Sequence, residues 1–370
     1  MQVKAAVLHG PKDRLRIEAV NLEAPRRGEV LVRVGAAGVC HSDYHFMVGD
    51  RKAEAYPVIL GHEGAGIVEA VGEGVRAVRP GDHVVLVRWS CGRCEDCARG
   101  RGNLCRVYGE IATGVMLDGT TRFRRESTEI YHFGAVSCFA EKTVVPEQGV
   151  VRIPPDVPME VAAVIGCAVL TGVGAMQNAV PVHAGNGVLV IGVGGVGLSA
   201  VMGARLVGAS PIFAADTVDG RLQLAREFGA DVTINATAED TVQVVRDATH
   251  GEGVEYAFDV TGTGVALGQA FEAVRRGGSA VAIGMAHPDV KSLAISPLDM
   301  VRQQKTVKGS YMGSGPAYAE VPRLIELYRS GRLPLDRLLT RTYPLEQINE
   351  GFEAMIRGEV ARAVIVPSAA

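Results

Sequence analysis

The chain reads as an α/β protein with two parts: a β-rich stretch over roughly the first 150 residues, then a doubly wound parallel sheet. Three observations predict this. Short apolar runs broken by Gly and Pro fill the first stretch. From about Ile165 onward, strand-like and helix-like patterns alternate. A glycine-rich turn, Gly192-Val193-Gly194-Gly195-Val196-Gly197, joins one of those strands to one of those helices.

Taken in order, Met1 to Gly10 alternates like a first strand. Val30–Val34, Gly66–Val71, His83–Val87 and Ala140–Val145 come next as further strands, separated by turn signals such as Arg79-Pro80-Gly81-Asp82. Val188–Ile191 is a buried-strand run, with a helix after it through Val207. Strands are then expected at Pro211–Ala215, Asp231–Ile234, Glu255–Val260 and Ser279–Gly284. Strands alternating with helices in this way imply a parallel sheet covered on both faces. The tail carries helical segments at Val321–Ser330 and Leu345–Arg357 and a last strand at Ala363–Val366. Val301–Lys308 reads as an edge strand able to pair across subunits.

A length of 370 residues suits two domains, and 47% hydrophobic residues are ample for large cores. A formal charge of −3 leaves no electrostatic footprint for nucleic acid or an anionic membrane. The one basic knot, Arg122-Phe123-Arg124-Arg125, is broken by Glu126 and reads as a solvated loop. No signal peptide and no bilayer-spanning stretch is expected. Seven cysteines are too few for a disulfide-dense secreted scaffold, and thiolate ligands suit a reducing cytoplasm.

Cys91, Cys94, Cys97 and Cys105 share one short loop, residues 91–105. Four thiolates at this spacing close a tetrahedral shell around one Zn²⁺ and leave no place for water, so the ion there serves shape. The glycine turn has its full context: strand before, helix after, and Asp216 nineteen residues past Gly197. Gly192 permits the tight turn, Gly194 lets the backbone approach a pyrophosphate, and Gly197 lets helix and strand pack closely. The helix start offers N–H groups to phosphates. Asp216 is placed to accept hydrogen bonds from ribose hydroxyls, which favours NAD over NADP. Arg221 nearby can tolerate a phosphate if Asp216 points away. Cys40, His62 and Cys167 have the character of zinc ligands, but spacing alone does not join them.

Val39-Cys40-His41-Ser42-Asp43, Gly61-His62-Glu63-Gly64-Ala65-Gly66, the four-cysteine loop, GCAVLTG at 166–172 and the glycine turn at 192–197 occur in one order. With Asp118-Gly119-Thr120 and Asn349-Glu350-Gly351-Phe352, that order resembles the zinc-dependent medium-chain alcohol dehydrogenases, including their thiol-dependent formaldehyde dehydrogenase branch, essentially end to end. The resemblance implies a GroES-like catalytic domain, 1–168 with 312–370, and a Rossmann domain, 169–311. It makes Cys40, His62 and Cys167 the ligands of a catalytic zinc with one open position. Glu63 approaches that metal during ligand exchange, and Asp43 orients His62. Ser42 passes a proton through the nicotinamide ribose to His45. His41 and Arg362 lie near the pyrophosphate, and Thr171 touches the nicotinamide. Two zinc ions and NAD are implied, with a small alcohol or aldehyde as substrate and a homodimer, or a homotetramer, as the assembly.

Two enzymatic readings stay open. One is an NAD-dependent dehydrogenase of primary or secondary alcohols. The other is a dehydrogenase of the formaldehyde adduct of glutathione or mycothiol, or a reductase of S-nitrosothiols. The chain is similar to the second class around Asp118–Phe123. It departs from it at His45, where that class tends to carry Tyr, and in Arg106–Thr113, which lacks an obvious carboxylate-binding Arg. A metal-stabilised nucleotide-binding protein without activity ranks last, because no ligand at 40, 62 or 167 is missing. Cys138 is left over and reads as a buried thiol. Trp89 sits either in the core or on a substrate wall.

Overall fold

The structure is a computed structural model that describes residues 1–53, 55–107 and 114–367. It divides into two compact units, Met1–Cys167 with Gly315–Ala370, and Ala168–Ser314.

In the first unit, strands Gln2–Leu8, Arg16–Leu22, Phe123–Arg125, Thr128–His132 and Val58–Ile59 close into a small barrel. A second sheet runs Val150–Ile153, His83–Leu86, Gly64–Val71, Glu29–Gly38, Arg362–Val366, Leu339–Pro344, with Lys142–Pro146 also paired to Glu29–Gly38. Glu29–Gly38 is the hub. It has partners on both edges and is almost wholly buried, so its run of Val and Ala loses water on both faces. Register sets which residues meet at its end. Gly38 lies opposite Val364, and Ala37 lies opposite Gly64. Three strand ends therefore converge, and the residues at or just beyond them are Cys40, Glu63 and Arg362.

The strands fall within a few residues of the sequence expectations. The Ala140 strand is displaced to Lys142–Pro146, with Ala140 making an isolated bridge to Ala5. Three expectations need correction in part. Val301 belongs to the helix Pro297–Arg302, because Ser296 caps that helix with its hydroxyl and Pro297 favours its first turn; only Thr306–Gly309 is a strand. A run long and apolar enough to cross a bilayer does exist, the continuous helical stretch Met159–Ala179 of 21 residues, but 89% of its apolar window is buried inside the protein. The basic knot is not a solvated loop. Phe123–Arg125 is a barrel strand, and Arg122 is fully buried.

The second unit is a six-stranded, all-parallel sheet in the order Val232–Asn235, Ile212–Asp216, Val188–Ile191, Val254–Asp259, Val274–Ala282, Thr306–Gly309. Numbered along the chain, this is 3-2-1-4-5-6, and the direction of winding reverses beside Val188–Ile191. The helix Gly195–Leu206 comes after that strand, and Leu170–Gly174 packs against the helix. A Cβ at Gly172 would lie 2.4 Å from the Val196 carbonyl, so only glycine permits that approach.

Arg122 shows what its burial requires. Its Nε donates to Glu29 Oε2 at 2.8 Å and its Nη2 to Asp118 Oδ2 at 2.8 Å, while Nη1 reaches Thr120 Oγ1 at 2.6 Å. The Asp118-Gly119-Thr120 motif is thereby tied to the hub strand through Glu29. Removing one partner of a buried pair leaves the other charge uncompensated, which costs about 3–5 kcal/mol. Arg122→Ala should therefore lower the urea midpoint of unfolding by that equivalent, and an unmoved midpoint would show that this pair contributes nothing.

Candidate active site and metal centres

The converging strand ends position one cluster. Cys40 is the extended residue that caps the helix His41–Val48, and His62 and Glu63 precede the strand Gly64–Val71. Cys167 sits in a wide π-type turn, Ile165–Val169, inside the long helical stretch. Such turns insert an extra residue and re-aim a side chain. Gly166 beside it must be glycine, because a Cβ would lie 2.5 Å from the Leu86 carbonyl. One ligand atom each from Cys40, His62, Glu63 and Cys167 lies within 4.8 Å of all the others, and all four belong to the first unit.

A ring of buried polar groups surrounds these four. Asp43, with no exposed surface, faces His62 Nδ1 at 3.1 Å and accepts the Gly61 N–H at 3.0 Å through Oδ1. In its neutral form this imidazole carries its proton on Nδ1, toward Asp43, and keeps the Nε2 lone pair for a metal. Glu63 and Arg362 form a buried ion pair. Among the described residues, Glu63 Oε1 and Arg362 Nε have no hydrogen-bond partner. Gly38 makes room for the pair, since a Cβ there would lie 2.8 Å from Glu63 Cδ. Burial pushes the Glu63 carboxyl up to about 7, against the pull of the Arg362 charge. Burial likewise raises Asp43, although the His62 charge opposes it. The Cys40 thiol is held well below its usual range by hydrogen bonding from Cys167, which outweighs burial. Two thiols, an imidazole and a carboxylate, with their surroundings already oriented, fit Zn²⁺.

Ser42, Asp43 and His45 share the eight-residue helix His41–Val48. Asp43 points into the core, whereas Ser42 and His45 are half-buried and, three residues apart, share a face. His45 Nδ1 lies 2.9 Å from Asp50 Oδ2. His41 is exposed and packs edge-on against Tyr44, ring centroids 6.4 Å apart.

The sulfur atoms of Cys91, Cys94, Cys97 and Cys105 also lie within 4.8 Å of one another. Backbone N–H groups are aimed at them: Cys91 N donates to Cys105 Sγ and Cys94 N to Cys91 Sγ, each at 3.3 Å. Backbone N–H groups of Cys97 and Arg106 bring the Cys94 thiol down to about 6, which favours the thiolate that metal binding needs. Asp96 ties the loop together through Arg101 at 2.6 Å and Arg106 at 3.1 Å.

In the second unit, Gly192 has φ +88°, and a Cβ at Gly197 would lie 1.9 Å from the Gly192 carbonyl. Among the described residues nothing lies within 4 Å of where a Gly194 Cβ would point, so that face is open to a ligand. Gly195 and Val196 begin the helix with their N–H groups directed at the same turn. Asp216, at the end of its strand, accepts Val193 N at 2.8 Å with Oδ2, and Thr217 N at 2.8 Å and Val218 N at 3.0 Å with Oδ1. It does not point away from Arg221, whose Nη1 is 3.7 Å from Oδ1. Thr171 is buried in the helix Leu170–Gly174.

Sequence reasoning missed several features. Arg362 is buried against Glu63, a pairing 299 residues apart that no spacing signals. Asp50 belongs to none of the motifs, although an acid just beyond Gly49 at the helix end is a usable sign. The π-type turn at Cys167 leaves only Gly166 as a trace. Of the two readings of Trp89 the structure takes the first: it is buried in the barrel core with Phe123 and Met116. Cys138, by contrast, is the buried thiol that the sequence suggested, packed on Gly61 and Gly64 and pushed up to about 12 by burial. Of Arg106–Thr113, residues 108–113 lie outside the described residues.

Two family models match the chain: the alcohol dehydrogenase GroES-like domain over residues 26–155 and the zinc-binding dehydrogenase over residues 195–330. The chain is 39% identical over 372 residues to the NDMA-dependent alcohol dehydrogenase of Amycolatopsis methanolica, with 100% of each chain covered. It is 39% identical over 369 residues to the S-(hydroxymethyl)glutathione dehydrogenase of Photobacterium damsela subsp. piscicida, covering 99% of this chain and 100% of the relative. Among solved structures, the benzyl alcohol dehydrogenase of Acinetobacter calcoaceticus superposes with a TM-score of 0.94 at 32% identity, covering 100% of both chains. A GroES-like domain and a Rossmann domain are matched, the likeness to these relatives runs along the whole length, and the chain, which itself carries two clusters able to hold zinc, belongs to the zinc-dependent medium-chain alcohol dehydrogenase family of oxidoreductases.

Proposed function

We propose that this protein is an NAD-dependent zinc alcohol dehydrogenase that interconverts a primary or secondary alcohol with its aldehyde or ketone. The observation that carries the reading is the gathering of Cys40, His62, Cys167 and Glu63 donor atoms within 4.8 Å of one another. In this reading Cys40, His62 and Cys167 hold a catalytic zinc, and Cys91, Cys94, Cys97 and Cys105 hold a structural one. When bound, zinc supplies Lewis acidity toward the substrate oxygen and NAD accepts the hydride. The chain's own residues do the rest. Asp43 fixes His62, and Glu63 is a carboxylate poised beside the ligand set. Arg362 offsets the charge of Glu63. Ser42 takes the hydroxyl proton, and His45 releases it to solvent. Gly192, Gly194, Gly195, Val196 and Gly197 receive the pyrophosphate, with His41 and Arg362 assisting. Thr171 contacts the nicotinamide, and Asp216 receives the ribose.

The thiol-adduct reading keeps a place because a relative named S-(hydroxymethyl)glutathione dehydrogenase is 39% identical over 369 residues. His45 speaks against it. We take the protein as a cytoplasmic homodimer, with a homotetramer as the alternative. The exposed Leu298 and Val301, on the helix preceding the edge strand Thr306–Gly309, support self-association.

Purified protein should reduce NAD, monitored by absorbance, with some members of a panel of primary and secondary alcohols. Reduction seen only with formaldehyde plus a low-molecular-weight thiol would favour the second reading, and none with any substrate would overturn both. Asp216→Ala should lower the preference for NAD over NADP about tenfold, in keeping with roughly 1.5–3 kcal/mol for a charged hydrogen bond. Because Asp216 also holds Val193, absolute rates will fall too; the ratio is the reporting quantity, and an unchanged ratio would remove Asp216 from ribose recognition. Metal analysis should find about two zinc ions per chain. Cys91→Ser should lose one zinc and lower the melting midpoint first, whereas Cys40→Ser should lose the other zinc and the activity with less change in midpoint. Equal effects of the two substitutions would contradict the division into structural and catalytic ions.

A further inference from the structure

The helix His41–Val48 ends at Gly49, whose φ of +84° reverses the chain. The next turn doubles back over His45. Arg51 N donates to the His45 carbonyl at 3.0 Å, and Asp50 Oδ2 lies 2.9 Å from His45 Nδ1. Backbone and ring of His45 are thus held by the same few residues. Both side chains are partly shielded, with 28% of His45 and 36% of Asp50 exposed.

A carboxylate is acceptor only, so the shared hydrogen on this contact belongs to His45. With Nδ1 protonated and committed to Asp50, the neutral ring offers its lone pair at Nε2 alone. We infer that Asp50 is a positioning residue for proton exit: it fixes the tautomer and tilt of His45 so that Nε2 is the atom that takes up the proton and then passes it to water. Nδ1–H stays on Asp50 throughout, so one proton enters and leaves through the same nitrogen. Without Asp50 the ring is free to turn and to place its hydrogen on either nitrogen, and a share of molecules then presents N–H where a base is needed. This inference rests on the relay role proposed for His45.

A double-mutant cycle separates the two ideas. The zinc-loaded full-length enzyme is mixed with NAD and the best alcohol of the panel, and the single-turnover rate of NAD reduction is recorded by stopped-flow absorbance. His45→Gln should slow that rate about tenfold or more, within the range of general-base effects. Asp50→Asn, which keeps the side-chain shape but removes the charge and half the acceptors, should slow it several-fold and leave the melting midpoint and the KM for NAD unchanged. Asp50→Glu should restore part of the rate. The double variant should match His45→Gln alone, because Asp50 has nothing left to orient. A full rate in His45→Gln overturns the relay reading and this inference with it. A slowed His45→Gln combined with an unaffected Asp50→Asn, or with losses that multiply in the double variant, overturns the role of Asp50 and leaves the relay standing. Should Asp50→Asn lower the melting midpoint, Asp50→Ala in the His45→Gln background gives the same comparison.

Discussion

The first unit is organised around buried charge that must be matched on the spot. Asp43 and Glu63 have no exposed surface, and Cys40, Cys167 and Arg362 are nearly as deep. A buried ion without a partner costs several kcal/mol even after the surroundings relax, so each group must be paired or neutralised. Asp43 has His62 and the Gly61 N–H, and Glu63 has Arg362. The two thiols share the Arg362 and His62 charges that already face Glu63 and Asp43. Ionised, they leave an excess of negative charge that a divalent cation offsets, and this is why the donor set suits zinc rather than a neutral ligand.

Backbone proximity is the second constraint. A strand end, a loop and a helix reach one point only where side chains are absent. A Cβ at Gly38 would collide with Glu63, one at Gly61 would lie 2.7 Å from Phe139 N, and one at Gly166 would strike Leu86. The second unit uses the same device for another purpose. Gly197 and Gly172 bring helix onto strand and helix onto helix, while Gly194 is left open for a ligand. Glycine is therefore a packing residue in the metal cluster and a ligand-approach residue in the dinucleotide turn.

This difference explains how much the sequence reveals. The dinucleotide turn and the four-cysteine loop are local: their chemistry lies within a few residues, and spacing is enough to find them. The sheet of the second unit is legible because βα alternation admits few topologies. Cys40, His62 and Cys167 are up to 127 residues apart, and without the strand register only resemblance to a family joins them. Arg362 with Glu63, and Arg122 with Glu29, are illegible for the same reason. A charged residue in a sequence looks solvated until a partner distant in the chain is brought to it, which is why Arg122 reads as loop from its neighbours alone.

The helix His41–Val48 shows how far that dependence extends. Eight residues are too few for a stable isolated helix, so its order comes from what packs on it. Tyr44 stacks on Phe352, centroids 6.5 Å apart, and Phe352 in turn meets Phe139 edge-on at 5.9 Å. Asn349, one turn earlier on the same C-terminal helix, bonds both the N–H and the carbonyl of Leu15, while Lys12 N in that loop holds the Met47 carbonyl. The tail motif Asn349-Glu350-Gly351-Phe352 thus braces the element that carries Ser42, Asp43 and His45. A helix held from behind in this way can turn Asp43 inward to His62 and keep Ser42 and His45 on another face. Metal orientation and proton exit are then separated by the rotation of one helix, not by two independent loops.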